Sequence, residues 1–86
     1  MESEAYYVVA FDSTHRALAA AAVLDEGRVP YLTIPTPREI SAGCGIALRC
    51  RPPELDALCA AVEAVGPFGD GASLWEVEGP SYKRLA

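Results

Sequence analysis

Positive charge is scarce in this chain and is nowhere clustered. Seven basic residues face twelve acidic ones, for a formal net charge of −5. Binding to nucleic acid or to an anionic membrane surface requires clustered Lys and Arg, so this composition argues against both partners. The longest apolar run, Ala17–Leu24, is too short to span a bilayer. Because no signal-peptide pattern follows the acidic first residues, we expect a cytoplasmic protein.

Motifs for metals, nucleotides and disulfides are also missing. The chain has no Cys-x-x-Cys pair, no zinc-type His/Cys spacing and no glycine-rich phosphate-binding motif, so we expect no metal and no resident cofactor. Its three cysteines cannot all pair within one chain, and a reducing compartment disfavours structural disulfides. Cys50 and Cys59 lie on apolar stretches and are interpreted as structural. Beyond one thiol and the single histidine there is no catalytic set, which favours a carrier or binding module over an enzyme.

What the sequence does contain is the apolar patterning of one small α+β domain. Its 86 residues suffice for a single domain, with a core over 5–78 and flexible ends at 1–4 and 79–86. The predicted elements, in chain order, are a strand over 5–11, a helix over 14–26, strands over 29–34 and 46–50, a helix over 52–65 and a strand over 73–78. Gly27 is expected to end the first helix in the left-handed conformation. This βαββαβ order is typical of a ferredoxin-like sandwich, in which a four-stranded antiparallel sheet of order 4-1-3-2 carries both helices on one face.

The first predicted strand is apolar on both of its faces. Tyr6 and Val8 share one face, and Tyr7, Val9 and Phe11 share the other. The two helices can cover only one face of the sheet. We therefore expect a partner subunit to bury the open face in a homodimer.

This topology brings distant segments to one edge of the sheet. The end of the first strand, the start of the first helix and the loop 35–45 should meet there, together with the loop 66–71. Cys44 lies in the first of these loops between Gly43 and Gly45, which leave its thiol accessible. The N-terminus of a nearby helix favours the thiolate, which is the form that attacks or carries sulfur. The alternative is a small, inert residue in a glycine-flanked turn.

The same edge supplies the other candidate residues. His15 is either a base for the thiol or a surface residue of the first helical turn. Ser13 and Thr14 either cap the helix or bind an anion there. Arg38 either clamps an anionic group or orders the loop by pairing with Glu39. The candidate anion- or ligand-binding set is Ser13, Thr14, His15, Arg38, Ser41, Gly43 and Gly45.

Three stretches of the chain resemble one known family. They are Phe11-Asp12-Ser13-Thr14-His15, Ile34-Pro35-Thr36-Pro37-Arg38-Glu39-Ile40-Ser41 and Cys44-Gly45-Ile46-Ala47-Leu48-Arg49. Together they resemble the selenium/sulfur carrier-like family of small bacterial proteins, over nearly the whole chain. The resemblance implies that Cys44 holds sulfur or selenium, as a persulfide or selenopersulfide, between donor and acceptor proteins. The chain departs from the family pattern at Ala42-Gly43, where serine is common, and at Cys50, where an aromatic residue is usual.

Two functions are compatible with these residues. In a sulfur or selenium carrier, Cys44 takes the chalcogen, and Arg38 with the helix N-terminus stabilises the anion. In a dimeric ligand-binding or regulatory module, Arg38, Ser41 and the helix N-terminus hold a small anion, and Cys44 only shapes the loop. Replacing Cys44 by serine separates the two, because only the carrier would lose its function.

Overall fold

The computed structural model describes residues 5–40 and 45–86, which hold five strands and two helices. The strands are β1 (Tyr6–Phe11), β2 (Leu32–Pro35), β3 (Ile46–Cys50), β4 (Ala72–Glu78) and β5 (Ser81–Arg84). The helices are α1 (Thr14–Glu26) and α2 (Leu55–Val65), and a 3₁₀ turn over Pro52–Glu54 leads into the second.

Both helices pack against one face of an antiparallel sheet, which confirms the α+β class. The sheet contributes Val9, Phe11 and Leu48 to the buried layer, and α2 contributes Leu58 and Val62. Helix α1 contributes alanines, whose small side chains let its backbone approach the sheet and α2. Burying a large apolar side chain supplies about 1.5–3 kcal/mol relative to leaving it exposed, so this layer fixes the helices on the sheet.

The sheet has five strands rather than the predicted four, and its order is β2-β3-β1-β4-β5. The segment expected to be a flexible polar end turns back at Gly79 and pairs with β4, with Ser81 opposite Glu78. Gly79 has a φ of 58°, which suits a two-residue turn between antiparallel strands. The added strand is stabilised because Tyr82 packs beside Val77 while its charged neighbours face water. As a result, β4 is an interior strand.

The left-handed residue that follows α1 is not the predicted one. Gly27 keeps a φ of −82°, and the left-handed residue is Arg28, with a φ of 56°. The Val29 amide then donates to the Leu24 carbonyl at 2.9 Å. Because this bond ties residue 29 to the end of the helix, β2 begins at Leu32 rather than at the predicted residue 29.

The face of the sheet away from the helices, here called the second face, is covered by the chain itself. Val8, Ala10, Ala47 and Val77 are each at most 1% exposed. Ile40, from the connection between β2 and β3, packs onto them and is 3% exposed. Four half-buried side chains complete the layer: Tyr6, Ile34, Trp75 and Tyr82. Burial of this layer requires no partner, and the homodimer stays a prediction.

Candidate functional site

The strand register brings several chain segments to the carboxyl end of β1. Pro35 at the end of β2 lies opposite Ile46 at the start of β3. Phe11 at the end of β1 lies opposite Ala72 at the start of β4. The connection 36–45, the N-terminus of α1 and the loop 66–71 therefore adjoin one edge of the sheet.

The connection between β2 and β3 is held at both of its described ends. The Thr36 amide donates to the Gly45 carbonyl at 3.2 Å, and the Ile40 amide donates to the Pro37 carbonyl at 3.0 Å. A side chain placed on Gly45 would meet nothing within 4 Å, so the residue bonded to Cys44 borders open space. Three predicted site residues, Ser41, Gly43 and Cys44, lie outside the described residues.

Arg38 is exposed on this connection and does not order it by an ion pair. Across residues 5–40 and 45–86, the one ion pair joins Arg51 and Glu54 at 3.3 Å, so Arg38 does not pair with Glu39. Burial raises the pKa of Tyr82, and the Glu39 carboxylate raises it further. Glu39 therefore lies near β5, on the same side of the sheet as the neighbouring Ile40. Binding of an anion by Arg38 stays a prediction.

The N-terminus of α1 has the cap that the sequence predicts. The Ser13 Oγ accepts a hydrogen bond from the Arg16 amide at 3.3 Å, and Thr14 is the first helical residue. His15 is exposed in the first turn. These residues stand at the positive end of the helix dipole, where an anion is favoured. Any contact of His15 with Cys44 stays a prediction.

Arg16 is a residue of this edge that the sequence did not single out. Its Nη2 donates to the Pro67 carbonyl at 2.7 Å, and its Nη1 donates to the Asp70 carbonyl. A side chain on Gly66 would come within 2.8 Å of Nη2, so glycine there leaves room for the guanidinium. Arg16 thus fastens the loop 66–71 to α1. The only sequence signal was a basic residue in the first turn of an alanine-rich helix, 51 positions from Pro67.

The two described cysteines are unsuited to thiolate chemistry. Cys50 is 3% exposed, and burial raises its pKa to about 12, with Glu54 and then Cys59 adding to the shift. Burial also raises the pKa of Cys59, with contributions from the nearby carboxylates. Both side chains therefore remain neutral thiols at neutral pH, which agrees with their interpretation as structural.

Two features are absent from the described residues. No cluster of three or more His, Cys, Asp or Glu side chains in that part of the chain could hold a metal ion. Neither described helix has the length and apolar character needed to cross a membrane.

Comparison with known proteins identifies the family. The model of the family described as "Putative Se/S carrier protein-like" matches residues 6–66, from β1 to the end of α2. The match includes the segment that carries Cys44 and excludes β4 and β5. Neither the curated proteins nor the solved structures gave a match. Because the family match spans more than half of the chain, this protein belongs to the Se/S carrier protein-like family.

Proposed function

We propose that this protein carries a sulfane sulfur or a selenium atom on Cys44, between a donor protein and an acceptor protein. The observation that supports this most strongly is the family match over residues 6–66, a span that contains Cys44. The cytoplasmic location expected from the composition is part of the same proposal, because a thiol relay needs a compartment that keeps cysteine reduced.

The protonation of the other two cysteines supports the choice of Cys44. With a pKa of about 12, roughly one Cys50 thiol in 10⁵ is ionised at pH 7. Burial also raises the pKa of Cys59, which lowers the fraction of its thiolate form. Since the thiolate is the nucleophile in sulfur transfer, the raised pKa values of Cys50 and Cys59 disfavour both residues as the accepting thiol. Cys44 is the remaining thiol of the chain.

The residues around the sheet edge are compatible with an accessible anion there. Gly45, which is bonded to Cys44, borders open space. The N-terminus of α1 adjoins the same edge, and its first-turn amides and dipole favour negative charge. A persulfide is an anion at neutral pH, so this edge would stabilise the loaded form as well as the thiolate.

The proposed transfer conserves atoms and electron pairs at each step. The Cys44 thiolate attacks the outer sulfur of a donor persulfide, a new S–S bond forms, and the donor's inner sulfur leaves as a thiolate. An acceptor thiolate then attacks the outer sulfur now held on Cys44, and Cys44 leaves as a thiolate. No external oxidant or reductant is needed, and selenium follows the same path from a selenopersulfide donor.

Loading with a small-molecule persulfide tests the proposal. The reduced wild-type protein, Cys44→Ser and the double variant Cys50→Ala/Cys59→Ala are each incubated with the donor, desalted and weighed by intact mass spectrometry. We expect the wild type and the double variant to gain one sulfur atom per chain, and Cys44→Ser to gain none.

Equal loading of Cys44→Ser and the wild type would show that another thiol accepts the sulfur, which would contradict the proposal. Failure of every variant to load would exclude the carrier function. The anion- or ligand-binding module would then be the better account, and Cys44→Ser should leave its binding unchanged.

A further inference from the structure

A polar groove of about 190 Å³ opens at the corner of the second face, beside the loop 66–71. It is lined by Ala10 of β1 and by Ala72 and Ser73 of the adjacent strand β4. One wall of the groove comes from β5, which lies outside the family match.

Two opposite charges stand at the ends of this groove. Asp12 follows β1, and Arg84 ends β5. Within the described residues, the Asp12 carboxylate has no hydrogen-bond or ion-pair partner, and neither do the terminal nitrogens of Arg84. Each charged group therefore has hydrogen-bonding capacity left for a ligand.

The register sets the distance between these two charges. Phe11 lies opposite Ala72 and Arg84 lies opposite Trp75, which places the Cα atoms of Asp12 and Arg84 about 16 Å apart across two strand spacings. The Arg84 side chain reaches back along the groove, where its Nε donates to the Ala86 carbonyl at 3.0 Å. A ligand that contacts both the Asp12 carboxylate and the Arg84 guanidinium would make two charge-assisted hydrogen bonds.

The walls of the groove are already formed in the structure. Gly71 lines the groove with its backbone, and its φ of 89° is a conformation that favours glycine. The Gly71 carbonyl accepts a hydrogen bond from the Asp12 amide at 2.8 Å. Arg16 fastens the same loop to α1. The Ser73 Oγ accepts a hydrogen bond from Trp75 Nε1 at 2.8 Å, which leaves the hydroxyl hydrogen free to donate to a ligand.

We propose that this groove binds a small α-amino acid as its zwitterion, with the ammonium group at Asp12 and the carboxylate at Arg84 and Ser73. A simple anion would leave Asp12 unpaired, and a simple cation would leave Arg84 unpaired. A zwitterion satisfies both charges, and the guanidinium suits a carboxylate because it can donate two parallel hydrogen bonds. The limited volume of the groove selects a small side chain.

Glycine titration followed by amide NMR tests this site on the full chain. We expect saturable shifts at the amides of residues 69–73 and of Asp12, with a Kd of about 1 mM or below. Arg84→Gln and Asp12→Asn should each weaken binding at least about tenfold, and Arg84→Lys should retain more affinity than Arg84→Gln. Matched controls are Lys83→Gln, next to Arg84 on β5, and Asp56→Asn on α2, which should bind as the wild type does. Amide dispersion in each spectrum confirms that the variant is folded.

Acetate and methylammonium, each at the same ionic strength, provide the decisive comparison. If either one shifts the groove amides as strongly as glycine does, the groove holds a single ion and the proposal is wrong. Absence of shifts with glycine at tens of times the expected Kd would also overturn it. The proposed contacts are made by Asp12, Ser73 and Arg84, whereas the carrier proposal rests on Cys44, so neither outcome bears on the carrier proposal.

Discussion

At the scale of single residues, a buried thiol and a half-buried guanidinium are accommodated differently. Burial raises the pKa of Cys50 and so favours its neutral form, whereas Arg16 donates from its Nη groups to backbone carbonyls. The inertness of Cys50 could be predicted, because the residue ends an apolar strand. The role of Arg16 could not, because its partners Pro67 and Asp70 are brought to it only by the packing of α2 and β4.

The raised pKa of Cys50 predicts a loss of stability in alkali. The folded pKa of about 12 lies above the ordinary value of 9.0, so the folded state holds the thiol proton more tightly than the unfolded chain does. This contribution is fully present below about pH 9 and is lost as the pH rises toward 12. Urea unfolding from pH 8 to 11 should show the wild type losing stability faster than Cys50→Ala. If the free energies of unfolding of the two proteins fell in parallel with rising pH, the raised pKa of Cys50 in the folded state would be contradicted.

At the scale of elements, the described start of the connection between β2 and β3 packs against the sheet through Ile40. Its side chain is 3% exposed on the second face, where the sequence predicted only a loop. Isolated apolar residues in Pro- and Gly-rich segments carry no periodicity, so the pattern could not show that Ile40 is buried. In contrast, the bounds of α1 and β3 match the prediction because capping residues and prolines flank them.

Truncating Ile40 should destabilise the fold more than truncating an exposed leucine outside the second face. Ile40→Ala removes buried methyl groups and should lower the free energy of unfolding by about 2–4 kcal/mol. Leu18→Ala, at a position of α1 that is 58% exposed, should change it by less than about 0.5 kcal/mol. Urea denaturation measures both values. A loss from Ile40→Ala no greater than that from Leu18→Ala would show that Ile40 does not pack on the sheet.

At the scale of the whole molecule, the meeting of three connections at one sheet edge could be predicted from the order of the elements. The fifth strand could not, because Tyr82 is the one large apolar side chain of Ser81–Arg84, and such a short polar segment is not distinguishable from a flexible tail. That strand supplies Arg84, so the groove at the corner of the second face was also missed. Elements that are determined by local patterning could be predicted from the sequence. A short strand such as β5, which is stabilised by pairing with β4, could not.

The predicted homodimer can be tested at the same scale. Leu32 is the large apolar side chain of β2 that remains exposed on the second face, and it would lie in an interface there. We expect sedimentation equilibrium to give twice the 9.1 kDa chain mass for the wild type and the single mass for Leu32→Glu. A wild type that sediments at 9.1 kDa would rule out the dimer.

The most direct test of the account is the pH dependence of alkylation at all three cysteines of the wild-type protein, mapped by peptide mass spectrometry. Trypsin places Cys44 on the peptide 39–49, apart from Cys50 and Cys59, which fragmentation then separates. We predict that Cys44 reacts first, with a midpoint below the value of about 8.5 for a free thiol, and that Cys50 reacts last. Alkylation of Cys44 at or above that midpoint, or after Cys59, would contradict the claim that Cys44 is the carrier thiol.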